Sequence, residues 1–147
     1  MQETVLRLES VNLTLGEGAT RVKVLDGVSL NLGKGESLGI VGPSGSGKTS
    51  LLMVLSGLER ADFGIIAVDG TDITKLSEDA LAQFRGRSIG IVFQSFHLIP
   101  NMTALENVAV PLELAGHKSP FERAKAELEK VGLGERLKHF PGQLSGG

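Results

Sequence analysis

The sequence contains no cysteine, tryptophan or tyrosine, and its net charge is only −2 at pH 7. Without cysteine the chain has neither a disulfide framework nor a thiolate metal site. It also lacks the excess of basic residues by which proteins hold nucleic acid non-specifically. No apolar run approaches the length of a membrane span, and the N-terminus does not have the layout of a signal peptide. We therefore expect no nucleic-acid partner, and we expect any membrane role to come through another protein.

Glycine, in contrast, is abundant, and three glycines stand in one short segment. Residues 42–49 read Gly-Pro-Ser-Gly-Ser-Gly-Lys-Thr and fit the pattern G-x-x-x-x-G-K-[ST] at every fixed position. Phosphate oxygens need several N–H donors at close range, and residues without a Cβ let the chain curl tightly enough to supply them. Lys48 adds a cation for the β- and γ-phosphates, and the Thr49 hydroxyl can hold Mg²⁺. The candidate nucleotide-binding residues are Gly42, Pro43, Ser44, Gly45, Ser46, Gly47, Lys48, Thr49 and Ser50.

The neighbouring segments support this interpretation. Glu36–Val41 is predicted to be a short buried strand that leads into the loop, and residues 49–55 a helix that leaves it, with Gly57 as the C-cap. Strand, glycine loop and helix follow one another in this order in P-loop proteins. The helix would direct its N–H groups and its positive dipole end towards the bound anion.

The N-terminal third has the alternation of antiparallel strands. Val5–Leu15 is predicted to be one strand with a bulge near Ser10, and Val22–Leu32 a second β segment that is broken at Asp26-Gly27. Gly64–Val68 is predicted to be a further strand.

The middle of the chain changes to a mixed pattern. Ser77 can cap a helix over Glu78–Phe84. Ser88–Phe93 is predicted to be another buried strand, which would deliver Gln94 at its carboxyl end, where ligands sit in open α/β sheets.

Two helices are predicted after residue 100. Thr103 and Glu106 form the pattern of a capping box for a helix that ends near Ala115. Ser119 and Glu122 form the pattern of a second capping box, with proline at the first helical position.

Three motifs together carry a resemblance to a known family. The P-loop of residues 42–49, Gln94 after Ile91-Val92-Phe93, and the terminal Leu-Ser-Gly-Gly of residues 144–147 resemble the ATP-binding cassette (ABC) family of transporter ATPases in identity and order. Residues 98–108 resemble cassettes of the lipoprotein-releasing and macrolide-exporting type. The resemblance implies an α/β fold: a P-loop NTPase-like core with an antiparallel β N-terminal part, and a helical subdomain. It implies a division into a nucleotide-binding core, 1–94, and a segment with the Q-loop and helical subdomain, 95–147.

The resemblance also assigns roles to individual residues. Lys48 and Gln94 would be the catalytic residues, and Thr49 and Gln94 would coordinate the Mg²⁺ that accompanies ATP. Leu15 would contact adenine, at a position where the family usually has an aromatic residue. The signature residues Leu144, Ser145, Gly146 and Gly147 would bind ATP that is held by the opposite subunit.

The family's acidic strand, with its Mg²⁺-orienting Asp and catalytic Glu, would follow residue 147. We therefore expect the C-terminal half of the core sheet to be missing, the chain to be an N-terminal fragment without Walker B, and residues 1–147 alone to bind Mg-ATP weakly and not to hydrolyse it. The complete protein would be an ATPase.

The implied partners are a transmembrane permease subunit and a second nucleotide-binding subunit in a homodimer, on the cytoplasmic face of the cell membrane. The permease would dock on the helix after Thr103 and on the loop before it, where the apolar side chains alternatively form a small local core; these are Phe96, Leu98, Ile99 and Met102. Two other functions are considered. One is a non-hydrolysing nucleotide-binding or assembly module, and the other is a non-transport ABC ATPase, which the absence of a long coiled coil disfavours.

Overall fold

The computed structural model describes residues 3–144, and the chain divides into two compact units, Met1–Ile91 and Val92–Gly147. The first unit contains a four-stranded sheet in the order β2-β1-β3-β4. Its strands are β1 (Thr4–Leu15), β2 (Val22–Gly33), β3 (Phe63–Val68) and β4 (Thr71–Asp72). All three neighbouring pairs are antiparallel, which confirms the predicted character of the N-terminal part.

The β1–β2 ladder contains irregularities at two predicted places. Ser10 adopts a positive φ of 49°, its N–H donates to the Ser29 hydroxyl, and the register shifts there, which confirms the predicted bulge. The predicted break at Asp26-Gly27 is wrong, because β2 runs through it. Gly27 takes a left-handed φ of 61° and donates its N–H to the side-chain oxygen of Asn12, so the extra residue is absorbed as a bulge.

The core of the first unit lies between the sheet and helix α1 (Lys48–Leu55). The alternating residues of β1 point into it, and α1 adds Leu51 and the fully buried Val54. Burial of each such side chain contributes about 1.5–3 kcal/mol. The buried cluster consists of Leu8, Val11, Leu13, Leu25, Leu51, Val54, Ile66, Ile73 and Leu81.

Helix α2 (Glu78–Ser88) packs Leu81 into this core. Its start is as predicted, because the Ser77 hydroxyl accepts the N–H of Ala80. The helix continues beyond the predicted end at Phe84. Two arginines, Arg85 and Arg87, stand in its last turn, where basic side chains interact favourably with the helix dipole.

The two strands predicted as buried, Glu36–Val41 and Ser88–Phe93, do not form. Ser88 ends α2, and neither segment pairs with any strand within residues 3–144. Val41 is 91% exposed and Val92 100% exposed. A strand exists only where a neighbouring strand accepts and donates its main-chain hydrogen bonds, and the described part of the chain places no strand beside these segments.

The second unit contains two packed helices, α3 (Ala104–Leu114) and α4 (Pro120–Lys130). The buried face of α4 consists of Ala124 and Leu128, and Ala109 is the fully buried residue of α3. The predicted capping box at the start of α3 is confirmed, with hydrogen bonds in both directions. The box predicted at Ser119 is wrong: this residue has φ −133° and ψ 65°, outside the extended conformation of an N-cap, and its side chain caps nothing. Within residues 3–144, no helix is long and apolar enough to cross a membrane.

The capping box lowers the pKa of the Glu106 carboxyl group. Its carboxylate accepts the N–H of Thr103 at 2.7 Å and the hydroxyl at 2.8 Å, and these two bonds hold the pKa of Glu106 below its ordinary value of 4.5. The stabilisation is therefore complete above pH 4.5 and is lost as the pH falls through the lowered pKa. In a carboxyl NMR titration, we expect Thr103→Ala to raise the pKa of Glu106 towards 4.5. An unchanged titration curve would show that the Thr103 hydroxyl does not hold the carboxylate in solution.

Candidate functional site

The glycine-rich segment 42–47 forms an irregular loop that leads directly into α1. Gly45 and Gly47 adopt left-handed φ angles of 79° and 89°, which a residue with a side chain adopts at a cost. A Cβ on Gly47 would also lie 2.9 Å from the carbonyl oxygen of Val24 and 3.1 Å from its Cγ1. Gly47 thus serves both to turn the chain and to let the loop approach β2 closely.

The start of α1 leaves main-chain donors available. The N-cap is Gly47, which has no side chain, and the first intrahelical bond runs from Leu51 N–H to Gly47 O. The amides of the first turn before Leu51 therefore have no intrahelical acceptor, and no acidic side chain stands in that turn. They line an open pocket, together with residues of the loop and one of β2: Val24, Ser44, Gly45, Gly47, Lys48, Thr49 and Ser50. The pocket combines unpaired N–H groups with the positive end of a helix.

The side chain of Lys48, the first residue of α1, reaches back into the loop. Its ammonium donates to the carbonyl oxygens of Gly42 at 2.9 Å and Pro43 at 2.7 Å, and more weakly to the Ser46 hydroxyl at 3.4 Å. It forms no ion pair with any carboxylate within residues 3–144. The loop carbonyls thus hold an uncompensated positive charge beside the pocket, where an anion can replace them as acceptor.

The Thr49 hydroxyl belongs to the same pocket. Mg²⁺ is usually held by one or two protein oxygens together with substrate phosphates and water. A single hydroxyl beside a phosphate-binding loop fits that requirement. No group of three or more His, Asp or Glu residues that could hold a metal by itself occurs in the described part of the chain.

Leu15 lies at the end of β1, where its cross-strand partner is Val22. Both side chains are exposed. Alternation along β1 places Leu15 on the same face as the buried Leu13, which is the face that carries α1. Leu15 and Val22 therefore extend the core face as an aliphatic surface near Val24, the pocket residue. The sequence pattern did not indicate Val24 itself; it stands at a register shift in β2, which a simple alternation does not reveal.

The remaining predicted residues belong to the second unit. Gln94 is exposed and lies in an irregular segment rather than at a strand end. Leu144 is partly buried and follows a 3₁₀ turn, Pro141–Gln143. The signature residues Ser145, Gly146 and Gly147 lie outside the described residues.

Comparison with known proteins gives consistent matches. The family model described as "ABC transporter" matches residues 25–147. The lipoprotein-releasing system ATP-binding protein LolD of Geobacter metallireducens is 48% identical over 144 residues, which are 95% of this chain and 64% of that protein. The uncharacterized ABC transporter ATP-binding protein YbbA of Escherichia coli K12 is 43% identical over 147 residues, 99% of this chain and 64% of that protein. The chain thus spans about 64% of the length of these relatives.

A solved structure shows the same fold. The ATP-binding cassette MJ0796, in a dimeric post-hydrolysis state bound to ADP and Pi, matches with a TM-score of 0.86 and 36% identity, over 96% of this chain and 63% of that one. This match confirms the predicted α/β fold of the P-loop NTPase type. The relatives also confirm the resemblance to cassettes of the lipoprotein-releasing type. With a family model that covers residues 25–147 and relatives above 40% identity, the chain belongs to the ABC transporter family.

Proposed function

We propose that the chain is the ATP-binding part of an ABC transporter and that it couples ATP binding and hydrolysis to transport by a membrane partner. The observation that carries the proposal is the open pocket at the start of α1. There the unpaired first-turn amides and the Lys48 ammonium line one pocket with no carboxylate among its lining residues. Such a site favours a polyanion, and a nucleoside triphosphate is the polyanion that the family binds.

Each residue of the site then has a distinct task. Lys48 exchanges its carbonyl acceptors for β- and γ-phosphate oxygens, and the Thr49 hydroxyl holds Mg²⁺ together with Gln94. Mg²⁺, when bound, would neutralise phosphate charge during transfer. Leu15, with Val22, contacts the adenine by apolar contact alone. The ADP and Pi bound to the MJ0796 cassette in its post-hydrolysis state support a nucleotide as the ligand of this site.

The functional division proposed for the chain is a nucleotide-binding core, 1–94, and a segment with the Q-loop and helical subdomain, 95–147. Leu144–Gly147 would bind the ATP that is held by the opposite subunit of a homodimer. The dimeric state of MJ0796 supports this arrangement.

The docking surface for the permease would be α3 and the loop before it. Phe96 is 65% exposed, and Leu98 and Ile99 are also exposed, whereas Met102 is half-buried. The exposure of the first three favours docking over the alternative of a small local core. The subunit would then lie on the cytoplasmic face of the membrane and be held there by its partner.

Residues 1–147 alone are expected to bind Mg-ATP without hydrolysing it. The pocket holds phosphate-binding groups, but its lining contains no carboxylate that could orient or deprotonate the attacking water. The experiment measures binding with a fluorescent ATP analogue and phosphate release from Mg-ATP on the same purified chain. Turnover at the rate of a complete cassette, abolished by Lys48→Ala, would refute the expected inactivity. Absence of any binding would refute the proposed function.

The same experiment on the intact protein separates the two other candidates. Binding without turnover in the presence of the permease would identify a non-hydrolysing assembly module. Turnover that no membrane partner changes would favour a non-transport ABC ATPase.

A further inference from the structure

The side chain of Asn107, in α3, folds back onto the loop that precedes the helix. Its oxygen accepts the N–H of Ile99 at 2.7 Å, and its amide nitrogen donates to the carbonyl oxygen of Ile99 at 3.1 Å. The same nitrogen donates to the carbonyls of Met102 at 2.9 Å and Thr103 at 3.1 Å. Asn107 therefore holds Ile99 as a neighbouring strand would hold it, and it also closes the far end of the loop.

The helix end that carries Asn107 is itself fixed. The first N–H groups of α3, on Ala104 and Leu105, donate to the carbonyl oxygens of His139 at 2.8 Å and Leu137 at 3.0 Å. The next, on Glu106, donates to the hydroxyl of its capping residue at 3.3 Å. All three amides, which an isolated helix leaves unpaired, are satisfied within the second unit. The loop is thus attached to a rigid base.

The loop that Asn107 holds has a composition suited to an apolar partner. Ser95–Met102 contains no Asp, Glu, Lys or Arg, and it exposes Phe96, Leu98 and Ile99. Its own main chain closes a short turn, in which the N–H of Met102 donates to the carbonyl oxygen of Ile99 at 3.1 Å. Residues 95–102 form neither helix nor strand, so the Asn107 bonds fix the main chain of the loop at Ile99, next to Leu98.

We propose that Asn107 is a positioning residue for the docking of the permease, and that it presents Leu98 and Ile99 to an uncharged, apolar surface of that partner. The inference rests on the proposed function. Asn107 acts through the loop. It orders the loop before the partner binds. The entropy cost of ordering the loop is then not subtracted from the free energy of binding. Its aliphatic neighbours supply the contact.

The test uses the intact ATP-binding subunit and its permease in lipid nanodiscs. Asn107→Asp keeps an acceptor for Ile99 N–H but removes the donor and places a carboxylate beside three carbonyls, and Asn107→Ala removes both functions. Both are expected to weaken permease binding about tenfold, because the loop must then be ordered when the partner binds. Affinity for ATP should stay within about twofold, because the P-loop belongs to the first unit.

A matched control separates positioning from simple loss of stability. Leu128→Val trims a buried side chain of α4 and lowers the stability of the second unit without touching the loop. It should leave permease affinity unchanged. Equal loss of affinity in Leu128→Val and the Asn107 variants would overturn the positioning role, as would wild-type affinity in both Asn107 variants.

A third variant distinguishes the inference from the function on which it rests. Leu98→Asp places a charge in the docking surface and should weaken permease binding more than either Asn107 variant. If Leu98→Asp weakens binding and the Asn107 variants do not, the positioning role is wrong and the docking surface stands. If the wild-type subunit does not bind the permease at all, the proposed function fails, and the inference fails with it.

Discussion

Replacement of Lys48 by alanine is expected to weaken ATP binding by about 10- to 100-fold, since a hydrogen bond to a charged group contributes about 1.5–3 kcal/mol. The ammonium already lies inside the loop, where its hydrogen-bond acceptors among residues 3–144 are the oxygens of Gly42, Pro43 and Ser46. These acceptors also have solvent available, so a phosphate can displace them at little cost. Loss of the lysine leaves only neutral donors in the loop, namely main-chain amides and serine hydroxyls.

The measurement is a titration with a fluorescent ATP analogue, accompanied by urea unfolding. Lys34→Ala is the matched control, because it removes one positive charge from the same unit while its ammonium pairs with Glu3, 2.9 Å away, and not with the loop. The control should bind ATP like the wild type. Stability should change little in Lys48→Ala, since no strand or helix contact depends on the ammonium. An affinity within about threefold of the wild type would show that the Lys48 ammonium does not hold the phosphates.

The P-loop could be predicted from the sequence because its conformation is set locally. The left-handed angles at Gly45 and Gly47 favour residues without a Cβ, so the glycine pattern states the geometry directly. The same is true of the capping box at Thr103, in which all partners lie within three residues. Local chemistry of this kind leaves a direct mark in the sequence.

The two absent strands show the opposite case. Glu36–Val41 has the composition of a buried strand, but composition records only what a segment can do when neighbours are present. No strand in residues 3–144 pairs with it, and Val41 is exposed. The roles of Gln94 and Leu15 remain predictions for a related reason, since each depends on a ligand or on a subunit beyond this chain.

The hydrogen bonds of the Asn107 side chain cannot be predicted from its neighbours in the sequence. Asparagine inside a helix normally indicates a cap or a solvated position. Its preference for turns does not predict which groups its side chain will hydrogen-bond. Its acceptors lie four, five and eight residues back, in a loop whose path the sequence does not specify. The hydrogen bonds between Asn107 and the loop therefore depend on the tertiary structure.

Gly64→Ala is expected to cost the first unit about 3 kcal/mol or more of its free energy of unfolding, since steric overlap adds to backbone strain. Gly64 has a φ of 106°, and a Cβ there would lie 2.6 Å from Val11 Cα, 2.7 Å from Glu9 O and 2.8 Å from Ser10 O. All three atoms belong to the main chain of β1, at the register shift that faces β3. They cannot rotate away, so the overlap is not relieved by a change of side-chain rotamer.

Gly70→Ala is the control that isolates the steric part. Gly70 also has a left-handed φ, 74°, but a Cβ there would meet nothing within 4 Å. It should therefore cost only the conformational penalty of about 1 kcal/mol. Urea unfolding of both variants, compared at a constant m-value, measures the difference. Equal losses would mean that β1 yields at its bulge. In that case the main chain of β1 near Ser10 would shift to accommodate the added Cβ, and the close contact with Gly64 would not fix its position.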